Sequence, residues 1–216
     1  MRRTPDERNF FISMEDLAMR KKTVAALTAL MIAGVATTAN GDGKLHVTLN
    51  SQQLSVELPA ATAHAVQEVV NKMGGFSSYD EKAGQLSVVK PDVNIVLVEG
   101  IQKTARGDIV FSNPIKGWLD KDIPRNFGVF VEVDNAPVSK ELAMKLVLVG
   151  PDGKVVEAKE RPRIFDTSKV TSFYLSDVFL STKLTQYGTY RVQVLMKRDE
   201  ASPYVVVGEN RFKVGR

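Results

Sequence analysis

Few side chains in this 216-residue sequence carry reactive chemistry, and none is spaced for it. There is no cysteine, which excludes disulfides, thiolate metal ligands, a thiol nucleophile and lipidation through sulfur. The histidines are two, His46 and His64. His46 alternates with Leu45 and Val47 and faces solvent from a strand, and His64 falls off the apolar stripe of a helix. Neither has a second histidine at ligand spacing, so both read as surface residues. Ser87-Val88-Val89-Lys90 fits a Ser-x-x-Lys nucleophile pattern, but that pattern needs its serine at a helix start with further partners, and here it lies on a strand. Asp120, Asp122 and Asp134 could meet at one end of a sheet sandwich and hold calcium, since loop carboxylates are what a hard cation takes. They are equally ordinary turn residues without an ordered calcium-loop spacing. No catalytic residue, cofactor or metal is therefore expected. The residues singled out as a possible binding surface are aromatic: Trp118, Phe130 and Tyr204.

Trp118 is the only tryptophan. It lies between Pro114 and Pro124 in what reads as a long loop, either as a plug closing a sandwich edge or as a sugar-stacking platform. Phe130 points away from the face of Phe127, Val129 and Val131. Tyr204 to Val207 is apolar on both faces, and two-sided strands of this kind imply a covered surface.

Strands must position these groups. In Tyr187 to Val214, Tyr190, Val192, Val194 and Met196 alternate with polar residues, then a charged turn leads to Tyr204-Val205-Val206-Val207. This is a hairpin with one buried face. Phe127 to Val133 alternates as a central strand, and Gly150-Pro151-Asp152-Gly153 turns a hairpin between Met144–Val149 and Lys154–Ala158. Together with Asp108–Phe111 and Ser172–Leu175, about seven short strands describe an antiparallel β-sandwich over residues 108–216. Upstream, Leu45–Leu49 and Leu54–Leu58 form a hairpin across Asn50-Ser51-Gln52. Ala60 to Met73 has helical spacing at Val66, Val69, Val70 and Met73, with Thr62 as N-cap and Gly74-Gly75 as the stop. Short strands follow at 76–79, 85–89 and 94–98. Residues 40–99 thus read as a small α+β module, and 100–107 as a linker. Arg106-Gly107-Asp108, across the end of that span, spells a cell-adhesion tripeptide, which chance explains.

The N-terminus reads as a leader. Met19-Arg20-Lys21-Lys22 is basic, Thr23 to Ala36 is uncharged and apolar, and Ala36-Thr37-Thr38-Ala39 is small, the three parts of a secretory signal. Residues 1–39 are assigned to it, with the true start possible at Met19. The formal charge of +4 arises from 29 basic and 25 acidic side chains, and without the leader's six and four it falls to +2. That balance, with no basic run, argues against nucleic acid as a partner.

Two resemblances follow from these residues. Glu68-Val69-Val70-Asn71-Lys72-Met73-Gly74-Gly75-Phe76-Ser77-Ser78-Tyr79-Asp80, then Gly84-Gln85-Leu86-Ser87-Val88, resembles the copper amine oxidase N-terminal-like domain over about residues 45–89. It departs from that family at Leu58-Pro59-Ala60-Ala61, where the family has a Val-Pro-Leu-Arg segment, and at Tyr79, where it has Trp. The resemblance implies a non-catalytic envelope module without copper chemistry. The spacing of Leu184, Gly188 and Tyr190 resembles the tyrosine corner of immunoglobulin-like and fibronectin-type domains.

The expectation is a mainly β exported bacterial protein, not an enzyme, located in the envelope or secreted, whose partner is an envelope protein or a cell-wall polysaccharide. The membrane enters only if the leader stays uncleaved. Alternatives are a carbohydrate-binding module using exposed aromatics, and a hydrolase with an unrecognised site.

Overall fold

A computed structural model of the chain describes residues 44–115 and 117–215. The leader lies outside them. β1 (Lys44–Leu49) and β2 (Gln52–Pro59) pair antiparallel across Asn50-Ser51. Both turn residues have positive φ, 47° and 66°, as a type I′ turn requires; its twist matches that of the strands it joins. The Asn50 side chain also clamps a distant residue, accepting from the Lys90 N–H at 2.8 Å and donating to the Lys90 carbonyl at 3.2 Å.

The helix begins later than its periodicity implies. Ala60–Thr62 is a 3-10 turn, and α1 runs over Ala63–Lys72. Thr62 does not cap it by accepting a bond. Its backbone is already helical (φ −85°, ψ −9°), and its hydroxyl donates back to the Pro59 carbonyl at 2.7 Å. A threonine inside the first turn has that carbonyl closer than any free N–H. Gly74 (φ 78°) ends the helix, and the Gly75 N–H closes onto the Val70 carbonyl at 2.9 Å. β3 (Phe76–Asp80) and β4 (Gln85–Val89) complete a sheet of order β2-β1-β4-β3 in which β1 and β4 are parallel. Leu45, Val47, Val66, Val70, Leu86 and Val88 are buried.

The remaining strands are β5 (Asp92–Lys103), β6 (Ile109–Pro114), β7 (Trp118–Asp120), β8 (Arg125–Asp134), β9 (Leu142–Val149), β10 (Val155–Ala158), β11 (Arg163–Phe165), β12 (Phe173–Thr182), β13 (Gly188–Lys197) and β14 (Val205–Gly215). They form two sheets, β12-β8-β5-β6 and β10-β9-β13-β14-β7, with β11 also on β9. The inward residues of β8, β9, β13 and β14 make one hydrophobic cluster between them, including Phe127, Val131, Leu146, Tyr190, Val194 and Phe212. The fold is mainly β, an immunoglobulin-like sandwich preceded by a small α+β sheet.

The expected boundary at 100–107 moves. β5 starts at Asp92 and pairs with β8 from Asp92↔Asp134 to Val98↔Gly128, so residues 92–103 belong to the sandwich. The span read as a linker is the end of β5 and the β5–β6 turn. Its glycines and mixed charge are those of an exposed hairpin tip, which composition alone does not distinguish from a linker. The small sheet is packed, not strung. Phe76 belongs to the sandwich's own cluster, and a Cβ on Gly74 would lie 2.5 Å from the Val206 carbonyl oxygen.

Tyr204 to Val207 does not have two covered faces: Val205 and Val207 are buried, Val206 is 42% exposed, and a bulge closes the stretch. Val194 pairs with Gly208 but Leu195 pairs with Val206, so Val207 has no partner on β13. The extra residue shifts the alternation by one. Val205 and Val207 are buried before the bulge, Phe212 and Val214 after it, and Val206 is left outward.

Candidate functional site

The three aromatic residues do not converge. Phe130 lies on the outer face of β12-β8-β5-β6. Its neighbours on that face are Val96, its partner on β5, and Tyr174, which pairs with Glu132. The Phe130 ring stacks on Tyr174 (centroids 5.8 Å apart, 29° between planes) and meets Phe111 edge-on (5.0 Å, 63°). Val96, Phe111 and Tyr174 are 37%, 40% and 55% exposed. The β5–β6 hairpin supports one end of this stripe, for Ile101 fills the space over Gly128, where a Cβ would approach its Cγ1 to 2.5 Å. Phe111 and Tyr174 carried no alternation signal of their own, since each has meaning only beside Phe130 across a strand.

Trp118 is neither a plug nor in a loop. β7 runs parallel to β14, with Trp118 opposite Lys213 and Leu119 opposite Val214. Alternation sends Leu119 into the core and Trp118 outward, 61% exposed. Its ring lies over Gly215, where a Cβ would come within 2.2 Å of Cε3. A cleft of about 300 Å³ beside it is lined by Ile115, Gly117, Trp118, Arg211, Phe212 and Lys213, and the Lys213 ammonium sits 5.2 Å from the indole centroid.

Tyr204 is held between Lys145 (4.3 Å) and Lys197 (5.5 Å) by cation–π contacts. Burial pushes its phenol above the ordinary value, so it stays neutral. It precedes β14, whereas Trp118 pairs near that strand's far end, eight residues beyond Val205 and hence about 26 Å away. One sugar platform using both aromatics does not form.

The other candidates disperse as well. Asp120 pairs with Arg125 at 3.1 Å and Asp122 with Lys121 at 2.9 Å. Asp134 stands at the opposite end of β8 from Arg125, roughly 30 Å along the strand. The three carboxylates therefore do not meet, and among the described residues no group of three potential metal ligands occurs. His46 borders a depression with Thr48, Gln53, Ala83 and Gln85. His64 sits on α1, its ring edge-on to Tyr79 at 6.4 Å. Ser87 lies mid-strand in β4, opposite Ser78.

The outer face of β13 and β14 carries a cluster of charges. On the β13–β14 face, Arg191 and Arg211 are direct cross-strand partners, an arrangement that repels. Glu209 mediates, accepting from Arg211 Nε at 2.8 Å and Gln193 Nε2 at 2.9 Å and standing 3.9 Å from Arg191 Nη1. Burial alone would raise the Glu209 carboxyl, but the bonds from Gln193 and Arg211 and the charge of both arginines outweigh it and hold it below the usual range.

No protein-family model matches the chain. No curated protein matches it either. Among solved structures, a β-glucuronidase from Bacteroides uniformis is similar over 60% of this chain at 10% identity and a TM-score of 0.39; the chain spans 15% of that enzyme's length. An immunoglobulin-like protein from Pseudomonas aeruginosa is similar over 57% of this chain and 97% of its own, at 13% identity and a TM-score of 0.30. A DNA-bound alkylpurine DNA glycosylase from Pseudomonas fluorescens matches 73% of this chain and 39% of its own, at 11% identity and a TM-score of 0.36.

Proposed function

We propose that this chain is a non-enzymatic protein of the bacterial envelope that recognises a protein partner through the outer face of β12-β8-β5-β6. The observation that carries the reading is the contiguous stripe of Val96, Phe111, Phe130 and Tyr174, apolar and partly open to solvent on a rigid sheet. Exposed apolar patches on a soluble domain mark contact surfaces, and large rings lose little conformational freedom on docking. Export is supported by the leader pattern over Met19 to Ala39. A structural role for residues 45–89, akin to the copper amine oxidase N-terminal-like module, is supported by the order hairpin, helix, Gly-Gly and two strands.

The test is affinity capture from the protein's own envelope fraction with the wild-type chain, Tyr174→Glu and Trp118→Ala. A partner retained by the wild type and by Trp118→Ala but lost with Tyr174→Glu is the expected result. Capture that survives Tyr174→Glu, in a variant whose melting is unchanged, rules this face out.

A further inference from the structure

A second surface has different chemistry. Trp118 is the exposed aromatic whose setting is built from below. One side of its ring rests against Gly215, a position that tolerates no side chain. The missing side chain lets the indole lie flat against the strand, with its other side open to solvent and to Lys213. Beside it, Arg191 and Arg211 face each other across β13 and β14, with Lys213 next along the same face. Glu209 is the carboxylate that joins this group, and it engages Arg211 through Nε. Asp120, outward on β7 beside the tryptophan, is bound to Arg125. Cations therefore exceed anions around a cleft of about 300 Å³, the lower end of the size that small ligands occupy.

We propose that this cleft is a binding site for an acidic saccharide, a sugar ring carrying a carboxylate. The C–H face of a pyranose would lie on the indole plate, as apolar surfaces do on aromatic rings. The terminal guanidinium nitrogens of Arg211 would take the carboxylate, which is planar and matches a planar donor fork. Lys213 would swing from the indole to the same charge. Glu209 positions Arg211 and does not contact ligand. Neither feature suffices alone: a neutral sugar leaves the terminal nitrogens of Arg211 and the Lys213 ammonium without an anion beyond Glu209, and an anion without a ring leaves the indole bare. This site is separate from the aromatic stripe of the other sheet and does not depend on the function proposed for that stripe.

The experiment uses the fact that Trp118 is the only tryptophan in the chain, so intrinsic emission reports on this cleft directly. The full chain is titrated with tri-galacturonate, with the neutral trimer cellotriose, with a glutamate hexapeptide as a plain anion, and with a short oligothymidylate. Saturable quenching or a blue shift with tri-galacturonate, and at least tenfold weaker responses to the other three, is the expected result. Arg211→Ala should weaken tri-galacturonate binding at least tenfold, and Trp118→Ala, followed by calorimetry, should abolish it, while both variants melt like the wild type. Glu209→Gln should weaken binding by a smaller factor, with Arg211 left unpositioned. An equal response to the glutamate peptide would reduce the site to general charge, and a stronger one to oligothymidylate would make it a nucleic-acid surface. Either outcome overturns the proposal, as does an unchanged emission spectrum throughout.

Discussion

The phenol oxygen of Tyr190 accepts a hydrogen bond from the backbone N–H of Gln186 at 3.0 Å, four residues upstream. The ring is 1% exposed and stacks on Phe212 at 5.6 Å. This is the geometry of a tyrosine corner: the chain entering β13 is tied to the strand it is about to form. Tyr190→Phe keeps the packing and removes the acceptor from a partly buried N–H. A loss of about 1–3 kcal/mol is expected, read by urea denaturation with an unchanged slope. A loss under about 0.5 kcal/mol would mean that water replaces the hydroxyl.

At Gly208, β14 passes close to β5. A Cβ there would lie 2.8 Å from Val93 Cγ1 and 2.9 Å from its Cβ. Two residues on, Asn210 Nδ2 donates to the Ile95 carbonyl at 2.7 Å, joining the two sheets. Gly208→Ala should cost about 1–3 kcal/mol through overpacking. The double variant Gly208→Ala, Val93→Ala removes the Cγ1 contact but keeps the Val93 Cβ at 2.9 Å, so it should recover part of the loss, which thermal unfolding of the three proteins will show. Absence of recovery would place the strain elsewhere.

Thr167 is 1% exposed on a loop, a rare place for a buried hydroxyl. Its oxygen lies 2.7 Å from the Pro137 carbonyl and 3.1 Å from the Ser139 carbonyl, and accepts from the Ser139 N–H at 3.0 Å. Thr167→Val preserves shape and takes the hydroxyl from the Ser139 N–H and the Pro137 carbonyl, while the Ser139 carbonyl keeps the Thr167 N–H at 2.7 Å. A loss of about 1–3 kcal/mol is expected, with faster amide exchange at Ser139. Exchange at wild-type rates would show that the loop does not depend on this hydroxyl.

Glu209 makes stability depend on pH. Its folded-state pKa is held below the ordinary 4.5, so its contribution is present above that value and is lost as pH falls through the folded one. At pH 7 Glu209→Gln should cost a few tenths to about 1 kcal/mol, since the carboxylate is partly exposed and screened. The difference between the two proteins should shrink below about pH 4.5 and at high salt. A constant difference down to pH 2 would assign the effect to packing.

Residue order alone determined the strands whose buried faces alternate. β8 and β13 are legible in Phe127 to Val133 and Tyr190 to Met196, and the opening hairpin in Asn50-Ser51, because a period of two and a turn at positive φ are local properties. The tyrosine corner was legible for the same reason, as a spacing of residues within one short stretch. What was not legible is everything set by a neighbour far along the chain. The bulge at Val207 exists only relative to β13, and it shifts the buried positions from Val205 and Val207 to Phe212 and Val214. In sequence, β5 falls across a module and a linker because its polar, glycine-containing end is a strand solely by virtue of β6 and β8 beside it. Trp118 reads from sequence as a loop residue, plug or platform, because three residues cannot display an alternation; pairing with β14 sends Leu119 inward and the indole out. The aromatic stripe and the arginine pair are likewise cross-strand objects. Register between strands remote in sequence decides them, and register is fixed by packing the two sheets together, a contest among long-range contacts that no single segment records.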